Sequence, residues 1–239
     1  MKKKYKLIKS KLLTGWGNPL FQIKALKDFG VVKKGDLGGV IESEKNLSHD
    51  GLAWVFGNGE VSGNGRVSGD GRVSGNGKVS ENGQVFGRGV VFENGHLYGD
   101  GQVFGNGQVS GYGKVFGNGR VYGKGQVYGM GYVFGNGQLF GNGRVFEHGQ
   151  VYGYGMVIDN DWTSRTFHIT GSRDTVSLSS YTTLTIGGIT RTFKEWTKTF
   201  KTWGKENGYS SEQIKEYGAS IKFVISQAPS VIKRNKAKV

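Results

Sequence analysis

The chain has 239 residues, a net charge of +14, 44 glycines and no cysteine. The absence of cysteine excludes disulfide bonds and thiolate metal sites. The positive charge disfavours a protein that mimics nucleic acid. It favours an anionic partner, such as a nucleotide, a nucleic acid or a membrane surface, unless the charge serves only solubility.

The positive charge is concentrated at the two ends of the chain. Residues 1–50 hold eleven lysines against five acidic residues, and residues 159–239 hold thirteen basic against seven acidic residues, so each end carries +6. The basic start, MKKKYKLIKSKLL, lacks the apolar run of a signal peptide, and no stretch approaches a transmembrane span. We therefore expect a cytoplasmic protein that is neither secreted nor inserted into a membrane.

Residues 1–50 are predicted to form a small β-rich cap. The segment from Leu20 to Leu26 is a candidate strand, and Gly38–Ile41 is predicted to begin an imperfect first coil of the repeats that follow. The spacing from Leu47 to Val55 is eight residues, which predicts a small bulge near Gly51. A cap is required because the open end of a repeat array exposes unpaired backbone groups and apolar side chains.

Residues 51–158 repeat with a strict period of six. From Val55 to Val157 an aliphatic residue recurs at every sixth position, eighteen times without insertion or deletion. This period fits neither a helix nor a single flat strand, and it is typical of short strands joined by corners. Three such units make one triangular coil, so we predict an all-β parallel solenoid of about six coils.

One unit, Gly63–Ser68, shows how the repeat is expected to fold. Val67 points inward and stacks on the equivalent residues of neighbouring coils. Gly65 occupies a second inward position close to a corner, where a side chain lacks room. Gly63 and Asn64 form the turn, since both residue types tolerate a positive φ. Asparagines at equivalent turns are predicted to form hydrogen-bonded ladders.

The repeat resembles the hexapeptide-repeat left-handed β-helix superfamily, although this chain has glycine almost throughout at the small inward position. The resemblance implies a left-handed coil and a trimer. More narrowly, the lead-in LFQIKALKDFGVVKKGDLGGVIESEKNLSHDGLAWVF, the GNG-type array and the tail segments FKEW and GYSSEQIKEY resemble phage and prophage hexapeptide-repeat proteins. That resemblance implies residence in the cytoplasm of an infected or lysogenic bacterial host.

Residues 159–228 are predicted to form an α+β domain, and residues 229–239 a mobile basic tail. The repeat ends after Asp161, and short strands follow around residues 167–169, 176–178 and 184–186. Aromatic residues from Phe193 to Trp203 recur at helical spacing and predict a helix ended by Gly204. Ser210 and Gln213 predict the capping box of a second helix. Trp54 and Trp162, near the two ends of the array, are interpreted as lids.

The outward positions of the array carry aromatic rows beside basic and amide rows. Such rows fit flat anionic ligands through stacking, cation–π contacts and charge. Equally, the rings can stabilise the sheets by stacking on one another, or form an interface between subunits. On the first interpretation the candidate ligand-binding residues are Lys114, Phe116, Arg120, Tyr122, Tyr128 and Arg144, with Arg191 and Lys194 in the C-terminal domain.

Enzymes of the resembled family are mostly acyltransferases, which use a histidine as general base and loops extruded from the solenoid. The array of this chain contains no insertion, and none of its four histidines (His49, His96, His148 and His168) falls in such a loop. His96, near Tyr98 and Glu93, is the best of these candidates. Dinucleotide, P-loop and metalloprotease motifs are absent. We therefore assign no catalytic residue, metal ligand or cofactor from the sequence.

The sequence favours a non-enzymatic phage-type binding protein. In its most specific form, the hypothesis is an oligomeric sponge, favoured as a homotrimer, that sequesters an anionic nucleotide-like host signal and so counters antiviral defence. Two alternatives remain open: a structural or adhesive module of a phage particle, and an acyltransferase of the hexapeptide-repeat class.

Overall fold

A computed structural model describes residues 3–153, 156–158, 161–162, 168–180 and 182–236. Phe167 and the side chains of Trp162, His168 and residues 229–239 lie outside this description. The described residues form a parallel β-solenoid of about six coils, preceded by an antiparallel cap and followed by a four-stranded antiparallel sheet and two helices. The predicted solenoid is confirmed.

The cap is built on the first face of the solenoid. Strands Tyr5–Leu13 and Pro19–Ala25 pair antiparallel, and Pro19–Ala25 pairs in turn with Leu37–Ile41. Leu37–Ile41 then pairs parallel with Glu60–Val61, so cap and solenoid share one nine-stranded sheet. A single 3₁₀ turn, Glu44–Asn46, leads into the predicted imperfect coil.

The solenoid has three faces, numbered here in chain order from the face that continues the sheet of the cap. Face 1 contains Glu60–Val61, Lys78–Val79, His96–Leu97, Lys114–Val115, Tyr132–Val133 and Gln150–Val151. Face 2 contains Arg66–Val67, Gln84–Val85, Gln102–Val103, Arg120–Val121, Gln138–Phe140 and Met156–Ile158. Face 3 contains Trp54–Val55, Arg72–Val73, Val90–Val91, Gln108–Val109, Gln126–Val127, Arg144–Val145 and Asp161–Trp162.

The interior is an aliphatic column. All eighteen repeat aliphatics from Val55 to Val157 are buried. The inward glycine is sterically required: a Cβ on Gly65 lies 2.9 Å from the Ser62 carbonyl oxygen and 3.0 Å from that of Val79. Substitution at these glycines therefore forces the backbone of the next coil to move.

The corners confirm the turn prediction in part. Gly63 adopts a positive φ of 59°, but Asn64 does not, so only the first turn residue uses the left-handed region. Asn64 and Asn82 form a predicted ladder step, with the Nδ2 of Asn64 donating to Oδ1 of Asn82 at 3.2 Å. Similar steps join further pairs: 58 with 76, 76 with 94 and 118 with 136.

The far end of the array extends past residue 158. Asp161 pairs with Arg144, and Trp162 pairs with Val145, which is seventeen residues earlier instead of eighteen. The strict period therefore ends at Val157 as predicted, while strand pairing continues for one more side of the prism with a shifted register.

The C-terminal sheet, defined by His168–Thr170, Thr175–Leu178, Thr183–Ile186 and Ile189–Thr192, is antiparallel in chain order. Its last strand leads into helix α1, Phe193–Glu206, which precedes helix α2, Ser211–Lys236. Trp196, buried as predicted, donates from Nε1 to the Leu184 carbonyl oxygen at 2.8 Å and so ties α1 to the sheet. Neither described helix has the length and apolar character needed to cross a membrane.

Two features of the helices differ from prediction. Gly204 does not end α1; it lies inside the helix, where a Cβ comes 3.2 Å from Ile214, so the glycine admits the close approach of α2. The positive φ of the chain reversal belongs to Gly208. The backbone of α2 continues past Pro229 to Lys236, beyond the boundary expected at residue 228. The capping box of Ser210 and Gln213 is confirmed.

Lys4 is a buried charge that seals the cap. Its side chain is 1% exposed, and Nζ donates to the carbonyl oxygens of Asp50, Gly51 and Ala53 at 3.3, 3.3 and 2.9 Å. Burial, followed by repulsion from Lys27, lowers the pKa of Lys4 from 10.5 to about 8. The ammonium thus replaces missing strand partners at the open end of the first coil.

Replacing Lys4 by methionine is expected to change the pH dependence of stability. Between about pH 8 and pH 10 the unfolded chain holds the Lys4 proton more tightly than the folded chain, so wild-type stability rises with pH, by at most about 1.4 kcal/mol per pH unit from this group. Denaturant unfolding at pH 7.5 to 10 measures this slope. Lys4→Met is expected to lose this slope. Lys9→Met is the charge-matched control, because Lys9 is exposed on the strand Tyr5–Leu13 that directly follows Lys4, and it is expected to keep the slope. Equal slopes in Lys4→Met and Lys9→Met contradict the assignment.

Candidate ligand-binding groove

The six array residues predicted to bind ligand fall into three pairs on three faces. Lys114 and Phe116 lie on face 1, Arg120 and Tyr122 on face 2, and Tyr128 and Arg144 on face 3. The faces of a triangular prism point away from one another. The structure therefore does not bring these residues into one pocket.

The predicted aromatic rows are confirmed as stacked ladders. One row on face 1 (residues 98, 116, 134 and 152) and one on face 2 (86, 104, 122 and 140) stack ring on ring, with centroids 4.8 to 5.4 Å apart and interplanar angles of 13° or less. On face 3, Tyr128 stacks on Phe146 at 5.0 Å. The ring spacing follows the strand spacing of the sheet, so each ladder stabilises the coils that carry it.

On face 1 the row that carries the rings begins with Ser62 and Ser80 and becomes aromatic from Tyr98 onward, and this change has a structural cause. The cap hairpin loop, including Thr14 and Trp16, lines a cavity of about 240 Å³ together with Ser62 and Ser80. Ser62 is buried beneath the cap. Small residues are required where the loop covers the solenoid, and rings begin at Tyr98. Trp54 is likewise buried under the cap, with its ring 5.3 Å from Phe29, which agrees with its interpretation as a lid.

A groove with a volume of about 760 Å³ lies between face 2 and the C-terminal sheet. The solenoid side presents Arg120, Gln138 and Met156 at successive positions of one row, with Asn118 and Asn136 at the adjoining corner. Arg120 is exposed, and within the described part of the chain its guanidinium forms no hydrogen bond or ion pair.

The opposite side of the groove is the polar surface of the C-terminal sheet. Val176 and Leu184 are buried in the apolar core, and Ser177 and Thr185, which line the groove, are also buried, with the Thr185 hydroxyl 2.6 Å from that of Thr190. The lining is completed by Thr170, Gly171, Arg173, Asp174, Thr175, Gly187 and Gly188. Two arginines, one aspartate and several residues with hydroxyl or amide side chains therefore line the same space.

Arg173 is held by a braced turn. Its Nη1 donates to the Gly208 carbonyl oxygen at 2.8 Å, and its guanidinium lies 4.5 Å from the centroid of the Tyr209 ring. The Tyr217 hydroxyl accepts from the Arg173 backbone N–H at 2.8 Å and donates to the Asp174 carbonyl oxygen at 2.8 Å. These contacts fix the backbone of the turn from α2, so Arg173 is presented on a rigid support.

The carboxylates of this region are already engaged. Asp174 accepts a short hydrogen bond from the Tyr209 hydroxyl, and burial together with that bond raises the pKa of Tyr209. Glu216 accepts from the Ser172 hydroxyl at 2.5 Å and from its backbone N–H at 2.7 Å, and these bonds lower the pKa of Glu216. Asp174 Oδ2 also lies 3.8 Å from Arg173 Nε, so this ion pair offsets part of the positive charge that Arg173 brings to the groove, while Arg120 has no such partner among the described residues.

The two C-terminal candidates lie elsewhere. Arg191 packs its guanidinium 5.0 Å from the centroid of the Trp196 ring and donates to Thr199 Oγ1 at 3.1 Å, so it serves the sheet–helix contact. Lys194 is exposed on α1 and does not line the groove. The sequence interpretation missed Arg173, whose only signal is the segment Gly171-Ser172-Arg173-Asp174 between two predicted strands.

The histidines occupy different environments. The His49 ring stacks on Tyr5 at 4.3 Å, and its Nδ1 accepts from the Lys4 backbone N–H at 3.2 Å. His96 lies between Lys78 and Lys114, and burial followed by those charges lowers its pKa. The Glu93 carboxylate, expected near His96, instead accepts from the Gly111 N–H at 2.8 Å. His148 is exposed, and no cluster of three potential metal ligands occurs among the described residues.

A search with protein-family models and a search of curated proteins found no match to this chain.

Proposed function

We propose that this protein is a non-enzymatic binding protein that holds an anionic, nucleotide-like small molecule in the groove between face 2 and the C-terminal sheet. The observation that carries the proposal is the placement of Arg120 and Arg173 on opposite walls of one polar groove. The net charge of +14 acts in the same direction by attracting anions to the molecule.

The chemistry of the walls favours a phosphate-bearing ligand over an apolar one. A guanidinium group binds phosphate or carboxylate through two parallel hydrogen bonds. The amides of Asn136 and Gln138 and the hydroxyl of Thr175 offer donors and acceptors to sugar hydroxyls. The groove volume of about 760 Å³ lies within the range of small-molecule sites.

The more specific form of the proposal is a phage-type sponge that sequesters a host nucleotide signal as part of anti-defence. Its support is the positive charge, the resemblance of the repeat array to phage hexapeptide-repeat proteins and the groove chemistry. Sequestration requires that the ligand be retained and returned unchanged. A homotrimer, implied by the resemblance, multiplies the number of grooves per particle. Sedimentation equilibrium tests this form directly: three times the chain mass supports it, and a strict monomer contradicts it.

The test of the proposed function is a panel of mononucleotides and cyclic dinucleotides in thermal unfolding, followed by chromatographic recovery of each ligand. A ligand present at a hundred times its Kd stabilises the folded state by about 2.7 kcal/mol, which gives a clear rise in Tm. We expect a rise for at least one phosphate-bearing ligand, which is then recovered intact. Absence of any rise contradicts binding and favours the structural module. Turnover of acetyl-coenzyme A, lost in His96→Ala, supports the acyltransferase instead.

A further inference from the structure

The aromatic row of face 3 is interrupted by serine at positions 74 and 110, whereas the rings of faces 1 and 2 follow one another without a break once they begin. The interruption at Ser110 lies beside a cavity. Along this row Phe92, Ser110 and Tyr128 follow one another at successive coils, since Gln108 pairs with both Val90 and Gln126 in the same sheet. Serine thus stands where the rows of faces 1 and 2 have a ring. The rings of Phe92 and Tyr128 consequently belong to strands two steps apart.

The width of this gap matches one additional ring. Neighbouring rings in the complete ladders have centroids 4.8 to 4.9 Å apart, as for Phe86 with Phe104 and Phe104 with Tyr122. Two strand steps therefore separate Phe92 from Tyr128 by about 10 Å. A flat ring at the level of Ser110 lies at ladder distance from both neighbours.

The gap is a cavity with polar groups on its sides. It has a volume of about 390 Å³, and Phe92, Ser110 and Tyr128 are among its lining residues. Gln108 and Gln126 lie on one side, with Nε2 of Gln126 3.4 Å from Oε1 of Gln108. On the other side the Glu93 carboxylate holds the Gly111 N–H at 2.8 Å, which fixes the corner.

We propose that this slot, defined by Phe92, Ser110 and Tyr128 with Gln108 and Gln126 beside them, binds one planar heteroaromatic ring of the nucleobase type. The ring stacks between Phe92 and Tyr128 and so completes the ladder. Stacking of this kind accepts any nucleobase, because every base presents a π face. The two glutamine amides provide both donors and acceptors to the edge of a base. The slot lies on face 3, whereas the groove of the proposed function lies on face 2, so the two sites are independent.

Serine at position 110 leaves out a ring contact that the same face forms elsewhere. A complete ladder adds ring contacts, as Tyr128 with Phe146 shows on the same face at 5.0 Å. Cap coverage accounts for Ser62, which is buried, but Ser110 lies in the middle of the array and lines an open cavity. A ring supplied by a ligand restores the contact that the sequence omits.

The test is a fluorescence titration with 2-aminopurine riboside, whose emission is quenched on stacking. We expect saturable quenching with the wild-type chain and with Ser110→Ala, which keeps the gap. Ser110→Phe fills the gap with the protein's own ring. This variant is expected to weaken binding at least about tenfold and to raise Tm, because it completes the ladder.

Two controls separate the slot from the groove. Ser68→Phe adds a ring at an equivalent position on face 2, next to Phe86, and is expected to leave the quenching unchanged. Arg120→Ala combined with Arg173→Ala is expected to leave it unchanged as well. Absence of saturable quenching in the wild type, equal affinity in Ser110→Phe, or loss of quenching in the double arginine variant overturns the proposal.

Discussion

Gly89→Ala is expected to destabilise the protein by about 3 kcal/mol or more, whereas Gly57→Ala is expected to cost about 1 to 2 kcal/mol. A Cβ on Gly89 lies 2.4 Å from the Val103 carbonyl oxygen, which belongs to the backbone of the next coil and accepts the ladder hydrogen bond of Phe86. Relief of that overlap requires the coils to separate locally, with loss of packing along the aliphatic column.

Gly57 is the matched control because it is a glycine of the same array without steric restriction. Its φ is +56°, and no heavy atom lies within 4 Å of a Cβ at this position. The only cost of alanine here is therefore the strain of the left-handed backbone conformation. Urea unfolding followed by circular dichroism measures both variants. Equal losses in the two variants contradict the view that the inward glycines are fixed by the spacing of adjacent coils.

Loss of the two groove arginines is expected to abolish anion binding. Hydrogen bonds to a charged group contribute about 1.5 to 3 kcal/mol, so Arg120→Ala weakens affinity by roughly 10- to 100-fold, and the combination with Arg173→Ala by more. Affinity is also expected to fall with rising salt. Isothermal titration calorimetry with a ligand identified by the nucleotide panel measures both effects.

Arg66→Ala is the matched control for this prediction. Arg66 is exposed on face 2, in the same row as Arg120, but it does not line the groove. Its removal changes the net charge by the same amount. Since Arg173 also contacts Gly208 and Tyr209, the Arg120 variant is the cleaner probe, and the double variant must retain the wild-type Tm. A similar loss of affinity in Arg66→Ala indicates general charge attraction instead of a defined groove.

The sequence predicts the solenoid closely because each repeat encodes its own geometry. Val67 inside, Gly65 at the tight position and Gly63 at the turn follow from period, size and backbone freedom, and all three are found as expected. The aromatic and asparagine ladders follow from the eighteen-residue length of one coil, which places equivalent residues directly above one another. The positive φ of Glu93 does not follow from the repeat: this residue replaces a turn glycine, and its carboxylate offsets the strain by binding the Gly111 N–H.

The candidate groove is less accessible to sequence reasoning because it depends on long-range docking. The sequence predicts Arg120 as a binding residue from its place in the outward basic row of the array. Arg173, on the opposite wall of the groove, lies 53 positions later in the chain. Its turn is held in place by Tyr217, which belongs to a helix still further along. Arg191 carried the stronger local signal, beside a helical stripe, yet it packs on Trp196. The prediction that Gly204 ends the first helix is wrong for a similar reason. This glycine makes room for Ile214 of the second helix, and no local sequence pattern reveals that contact.

The most direct test of ligand binding without turnover is native mass spectrometry of the chain after incubation with the nucleotide panel. The proposed function predicts a complex of the protein with an intact phosphate-bearing ligand, released at its original mass on denaturation and absent from the Arg120→Ala, Arg173→Ala double variant. A bare protein mass with every ligand, a complex that persists in the double variant, or release of a chemically altered ligand contradicts it.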